Sequence, residues 1–272
     1  MADAFYAPLG EDRFAATEHT SGPWAPGFQH FGPPSALLVR GLERLEAPHP
    51  SLLARVTVEI LGPAPVAELD QRSWVERPGR SVELLQSELA AGGRVVARAS
   101  AWRIATTDTA SVATDAGPLL PSAESGTPAA FPDDWSGGYL QAVEWRAVRG
   151  GISTPGPAAI WGRQRIPLVD GEEPSGLQRL FAIADSGNGV SHFLPAAGWW
   201  FINSELTVHL RREPAGAWIG LDAVTLLGTH GIGTATSTLH DGAGPVGTGA
   251  QALMVRPRQA GADDRADPPR IQ

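Results

Sequence analysis

The chain has no cysteine among its 272 residues. It therefore builds no disulfide framework, no thiol nucleophile and no thiolate metal site. Charge is scarce too, at 18% of residues, and acidic groups outnumber basic ones by 29 to 21. A formal net charge of −8 without a basic run argues against nucleic acid or an anionic membrane as the main partner. No apolar stretch reaches the roughly 18 residues of a membrane-spanning helix. The N-terminus, Met-Ala-Asp-Ala-Phe-Tyr-Ala-Pro, has neither a basic region nor a long apolar run, so a soluble cytoplasmic protein is expected. The G-x-S-x-G nucleophile elbow, the Walker A loop and the H-E-x-x-H metal motif are all missing. The seven histidines show no ligand spacing, so neither metal nor cofactor is expected. Gly242-Ala-Gly-Pro-Val-Gly247 does match G-x-G-x-x-G, but it leads into a strand pattern and Pro245 suits a turn, which reads as a hairpin.

What is present points to a sheet. Hydrophobic residues make up 42% of the chain, enough for a sizeable core, and 32 Gly, 24 Pro and nine Trp suggest many turns that end strands. A short strand fits within residues 12 to 20. A helix is expected from Pro33-Pro34-Ser35, because proline suits a first helical turn; Leu38, Leu42 and Leu45 supply its stripe and Pro48 closes it. Strand patterns follow over 53–61, 66–76, 81–89 and 94–104, with Gly92-Gly93 as a hairpin turn. Residues 106–138, rich in Thr, Ala, Ser, Pro, Asp and Gly, read as a linker. Strands resume over 140–148 and 158–166. A helix from Pro174 carries Leu177, Leu180, Phe181 and Ala184 on one face, and Ser-Gly-Asn-Gly is expected to stop it. A Trp-rich loop then leads to strands over 205–212, 218–227, 232–240 and 246–255. The expected domains are 1–105 and 139–256, joined by the linker and followed by a flexible tail, 257–272.

The same order of elements occurs twice. Pro34, Ser35 and Leu37 match Pro174, Ser175 and Leu177 at a shift of 140, and Thr57, Val58, Ser87, Leu89, Gly92 and Val96 match Thr207, Val208, Ser237, Leu239, Gly242 and Val246 at a shift of 150. At these shifts Asp185, Asn203 and Gln251 fall on Leu45, Leu53 and Ala101. A shared backbone plan does not require polarity at those places, and an unpaired buried polar group costs about 1 to 3 kcal/mol. The polar trio therefore points to chemistry. Other readings stay open: Asp185 as a turn stabiliser, Asn203 as a strand-entry residue, Gln251 as an ordinary edge-facing side chain, His30 as a structural loop histidine.

Gln-His-Phe-Gly-Pro-Pro-Ser-Ala-Leu-Leu, Phe-Ile-Asn-Ser-Glu-Leu-Thr-Val-His-Leu-Arg-Arg and Gly-Ala-Gln-Ala-Leu-Met-Val-Arg resemble segments of the type II acyl-CoA thioesterases, in the thioesterase-like superfamily. The resemblance implies an α+β double hot-dog fold, two tandem repeats in which an antiparallel sheet wraps a central helix. It also implies acyl-CoA or another acyl thioester as substrate, a place in fatty acid metabolism, assembly into a homo-oligomer, and Asp185, Asn203 and Gln251 as the residues that orient an attacking water. The glycine pair often found before the first helix is Phe31-Gly32 here. Gly32, Ser35 and Ala36 are the expected backbone donors to the carbonyl oxygen, with His30 as a side-chain helper, and Arg211 and Arg212 are candidates for the nucleotide end of CoA. The rival readings are a hot-dog hydratase or dehydratase pairing His30 with Asp185, and a non-catalytic acyl-CoA or lipid-binding module.

Overall fold

Pro33 and Pro34 occupy the first turn of α1 (Gly32–Glu43), where a missing N–H costs nothing. The helix is buried from Gly32 to Leu42, not along one stripe only. Even Arg40 is buried; its guanidinium passes over the Phe14 ring and forms a two-pronged bond with Glu172. In this computed structural model the described residues are 3–258, apart from 24, 26, 115, 116, 133, 134 and 136. The expected tail lies outside them from residue 259 onward.

The first half supplies β1 (Tyr6–Pro8), β2 (Arg13–Ala16), β3 (Ser51–Ile60), β4 (Glu68–Arg77), β5 (Val82–Ala91) and β6 (Arg94–Ala105). Gly92 and Gly93 both have positive φ and turn β5 into β6, as expected of that pair. Part of the stretch read as a linker is built into the structure: β7 (Thr127–Pro128) pairs with β8 (Val143–Gly151), and the Trp161 indole N–H donates to the Pro121 carbonyl at 2.8 Å. Between them α2 (Gly138–Ala142) takes the place of the strand start expected at Leu140.

The second half continues with β9 (Thr154–Gln164), α3 (Gly176–Ala184) and α4 (Gly187–Val190). Ser175 caps α3, its Oγ accepting the Gln178 N–H at 3.0 Å, and the four expected apolar positions of that helix are all buried. The stop expected at Ser-Gly-Asn-Gly is only a break, because α4 begins at Gly187. The glycine serves close approach there: a Cβ would lie 2.9 Å from Ser237 Oγ and 3.0 Å from Gln251 Oε1. The expected Trp-rich loop ends in a further strand, β10 (Trp199–Asn203), before β11 (Glu205–Leu210), β12 (Ile219–Leu227), β13 (Ile232–Asp241) and β14 (Gly244–Pro257). Gly242-Ala-Gly-Pro-Val-Gly247 is the β13–β14 hairpin, as read.

All these strands form one sheet, in the order β1-β2-β4-β5-β6-β3-β11-β14-β13-β12-β9-β8-β7, with β10 pairing β14 beside β11. The halves meet where β3 and β11 run antiparallel, centred on Thr57 opposite Thr207, whose hydroxyls lie 3.1 Å apart. Pairing repeats across that seam. Adding 150 to Thr57↔Ser100, Ser87↔Ala99 and Ser73↔Ser87 gives Thr207↔Ala250, Ser237↔Gly249 and Ala223↔Ser237, all of them observed pairs. The bulge in β3 between Leu53 and Arg55 likewise corresponds to the break between β10 and β11 at Ser204. Helices α1 and α3 pack together beneath the sheet, antiparallel, with Glu43 bonded to Ser175 at one end and Gly32 against Ala182 at the other. Among the described residues no helix is long and apolar enough to cross a membrane.

Candidate active site

Asp185 follows the last turn of α3 and keeps to the buried face started by Leu177 and Phe181, so the residue is only 4% exposed. Asn203 ends β10 at the strand break, which frees its side chain from the regular ladder. Its Nδ2 donates to Asp185 Oδ1 at 2.8 Å and, more weakly, to the Glu205 carbonyl at 3.4 Å. These contacts leave Asn203 Oδ1 and Asp185 Oδ2 as acceptors at a cavity of about 110 Å³, whose walls include His30, Phe31, Ile60 and Ile202.

Gln251 arrives on β14, but its amide turns to backbone. Nε2 donates to the Asp185 carbonyl at 2.9 Å and Oε1 accepts the Asn188 N–H at 3.0 Å, so the side chain clamps both sides of the α3–α4 break. Asn188 adds a bond from Nδ2 to the Phe201 carbonyl. Gln251, expected from the sequence to help orient an attacking water, is thus bonded to the backbone at Asp185 and at Asn188.

The first half contributes the opposite wall. His30 Nδ1 accepts the Gly32 N–H at 3.0 Å and lies 3.5 Å from Asp185 Oδ2, which places the imidazole proton on Nε2. The ring stacks on Tyr139, centroids 3.8 Å apart. The Tyr139 hydroxyl donates to the Ala182 carbonyl at 2.7 Å and takes a bond from Ser186 Oγ, tying the ring to the end of α3.

Burial sets the protonation of this cluster. Loss of hydration pushes Asp185 up to about 6, a rise that the bond from Asn203 only partly opposes. The same loss pulls His30 down to about 3. At neutral pH the imidazole is therefore uncharged and the carboxylate ionised, so their proximity is not an ion pair.

Two of the expected oxyanion donors, Gly32 and Ser35, have partners within the protein. The Gly32 N–H is held by His30, while the N–H and Oγ of Ser35 both go to the Phe31 carbonyl. Pro33 and Pro34 have no N–H, and Phe31 caps the start of α1 just before them. Its N–H meets no acceptor among the backbone and side-chain bonds of the described residues. That proline pair was the sequence signal for Phe31. Tyr139 and Asn188 carried none beyond being one of only two tyrosines and the asparagine between two glycines. Arg211 and Arg212 lie elsewhere, at the other end of the helix pair, and Arg212 is tied to Asp241. Among the described residues no His, Asp or Glu cluster could hold a metal.

Two family models cover the chain, the acyl-CoA thioesterase N-terminal domain over residues 20–104 and the acyl-CoA thioesterase C-terminal domain over residues 123–255. A comparison with curated proteins gave no match. Solved structures show the fold. A hot dog fold protein of unknown function from Alicyclobacillus acidocaldarius is 17% identical, with a TM-score of 0.71 over 94% of this chain and 97% of that one. The tesB protein of Mycobacterium avium subspecies paratuberculosis is 16% identical, with a TM-score of 0.64 over 93% and 96%. Acyl-CoA thioesterase II TesB2 of Mycobacterium marinum is 12% identical, with a TM-score of 0.64 over 94% and 96%. With one domain model on each side of the Thr57–Thr207 seam and a hot-dog sheet throughout, the chain belongs to the acyl-CoA thioesterase family.

Proposed function

We propose that the chain is a double hot-dog in which one thioester-hydrolysing site is assembled from both repeats, with Asp185 as general base. The observation that carries this reading is one buried carboxylate that lines the cavity with its Oδ1 fixed by Asn203, which lines the same cavity. A water donating one hydrogen to Asp185 Oδ2 and the other to Asn203 Oδ1 has its lone pairs turned outward, toward a thioester carbonyl in the cavity. As the water oxygen bonds to that carbon, Asp185 takes its proton. The carbonyl oxygen gains negative charge beside the Phe31 N–H and the positive end of α1. Collapse of the tetrahedral species breaks the C–S bond, and the proton on Asp185 passes to the leaving sulfur. A base with a pKa of about 6 suits both steps, since it is ionised at neutral pH yet basic enough to accept a proton.

The cavity of about 110 Å³ is smaller than the roughly 300 to 1,000 Å³ of whole-ligand pockets. It receives the reacting thioester group, and the acyl chain extends past Phe31 and Ile60. Exposed Leu226 and Ile232 on the outer face of the second-half sheet supply an apolar contact for the homo-oligomer that the resemblance implies. Asp185→Ala is expected to lower thiol release from acyl-CoA by about 10² to 10⁴ while the far-ultraviolet spectrum stays native. Unchanged hydrolysis by the folded variant overturns the assignment. A dehydratase reading finds one supporting observation, the 3.5 Å approach of His30 to Asp185. Free thiol from a saturated acyl-CoA separates the two, since dehydration releases none.

A further inference from the structure

Sheet pairing that repeats at an interval of 150 implies that whatever lies beside one repeat has a counterpart beside the other. The Asp185 cavity has such a counterpart at the far end of the antiparallel helix pair, where α1 ends and α3 begins. Leu52, Leu53, Ala54 and Ile104 line it. Adding 150 to each gives Ile202, Asn203, Ser204 and Met254, which line the Asp185 cavity, and Leu210 in the second cavity answers Ile60 in the first. The cross-strand pair Leu52↔Ile104 is likewise the counterpart of Ile202↔Met254. The second cavity is also the larger, about 560 Å³, within the range of pockets that take whole ligands.

Its chemistry is a depleted version of the first. Glu43, the last residue of α1, stands at a helix end as Asp185 does at the end of α3. Although the residue is exposed overall, its carboxylate is drawn in against the start of α3, accepting from Ser175 Oγ at 2.8 Å and from Gln178 Nε2 at 2.7 Å. Desolvation and, to a lesser degree, the neighbouring Glu213 raise its pKa. No amide accompanies it, however. The counterpart of Asn203 is Leu53 and the counterpart of Gln251 is Ala101, so nothing corresponds to the groups that would orient a water or brace the carboxylate. An apolar wall remains, and charged side chains of both signs complete the lining, Arg44, Arg103, Arg211 and Arg212 beside Glu43, Glu46 and Glu213. The Arg211 Nε donates to the Pro245 carbonyl, and Arg44 reaches Glu172 at 3.3 Å while more than half exposed.

We infer that this cavity is a second, non-hydrolytic site for an acyl thioester, the acyl group lying on Leu52, Leu53 and Leu210 and the phosphates of the CoA moiety facing Arg211 and Arg44. The ligand class rests on the thioesterase reading of the Asp185 site; the cavity itself does not.

The test is isothermal titration of the full chain with S-dodecyl-CoA, a thioether that cannot be hydrolysed. Two equivalents per chain are expected. Ala54→Trp, which fills the second cavity, should remove one of them, and Arg211→Glu, on an exposed side chain, should weaken one by about tenfold or more through lost phosphate pairing. One equivalent that Ala54→Trp removes upholds this site and takes acyl binding away from the Asp185 cavity. Binding that neither substitution alters overturns the second site and leaves the thioesterase reading standing. No binding at all overturns both.

Discussion

At the scale of single residues the molecule carries two displaced protonation equilibria side by side, and they act on stability with opposite sign. Asp185 moves from 3.8 to about 6 on folding, so the native state holds its proton more tightly; that contribution is complete below about 4 and is lost as pH rises through 6. His30 moves from 6.5 to about 3, so its contribution is complete above 6.5 and is lost as pH falls toward 3. Between these limits each masks the other. Asp185→Asn removes one side of the balance. Thermal melts of that variant should show a gain on the order of 1 to 3 kcal/mol at pH 8 and a steeper loss than wild type on acidification from pH 6.5 to 4. The kcat/KM of the wild-type enzyme should rise with pH up to about 6 and then level off, because His30 is already neutral throughout that range. The trio Asp185, Asn203 and Gln251 was legible in the sequence because apolar residues stand at the matching places of the first half. Which of the three meets the cavity was not legible, since that depends on how each amide turns. Nothing in residue spacing tells Asn203, free at a strand break, from Gln251, bent back to the main chain.

At the scale of elements, the decisive feature is the interruption between α3 and α4 and the amide that spans it. Gln251 holds the Asp185 carbonyl on one side and the Asn188 N–H on the other. Gln251→Ala leaves both buried groups unpaired and lets the carboxylate drift, so kcat should fall by about 10² with a smaller change in KM. Gln251→Glu keeps the acceptor for Asn188 but turns an oxygen toward the Asp185 carbonyl, and it should not restore the rate. A steady-state comparison of the two variants checks this, and equal, wild-type kcat values would show the brace to be dispensable. The two main helices could be read from their periodicity, and the Pro33-Pro34 start of the first from its chemistry. β10 and α2 could not. Trp199 and Trp200 follow a Pro/Gly-rich segment with no alternation, and β10 becomes a strand only by pairing with β14. The strand-like run from Leu140 begins instead as α2, whose Tyr139 is drawn into the stack on His30, a tertiary contact that local pattern does not encode.

At the scale of the whole molecule, the site is shared property. His30 and Phe31 come from one side of the β3–β11 seam, Asp185 and Asn203 from the other, and Arg40 with Glu172 adds a partly buried tie across it. The sheet shift of 150 is legible in the sequence, because strands keep a strict two-residue period and the matching identities stay in phase. The helix shift of 140 was less secure: α1 runs unbroken for 12 residues where α3 has nine and then a break. The register centred on Thr57 and Thr207 has a further consequence. Each half offers the other a strand edge laid out on the same plan, so a break in the connection ahead of Leu119, before the segment that packs on β8 and β9, is expected to leave assembly intact. Two polypeptides divided at such a break and produced together should find one another and reconstitute turnover, while either fragment alone stays inert.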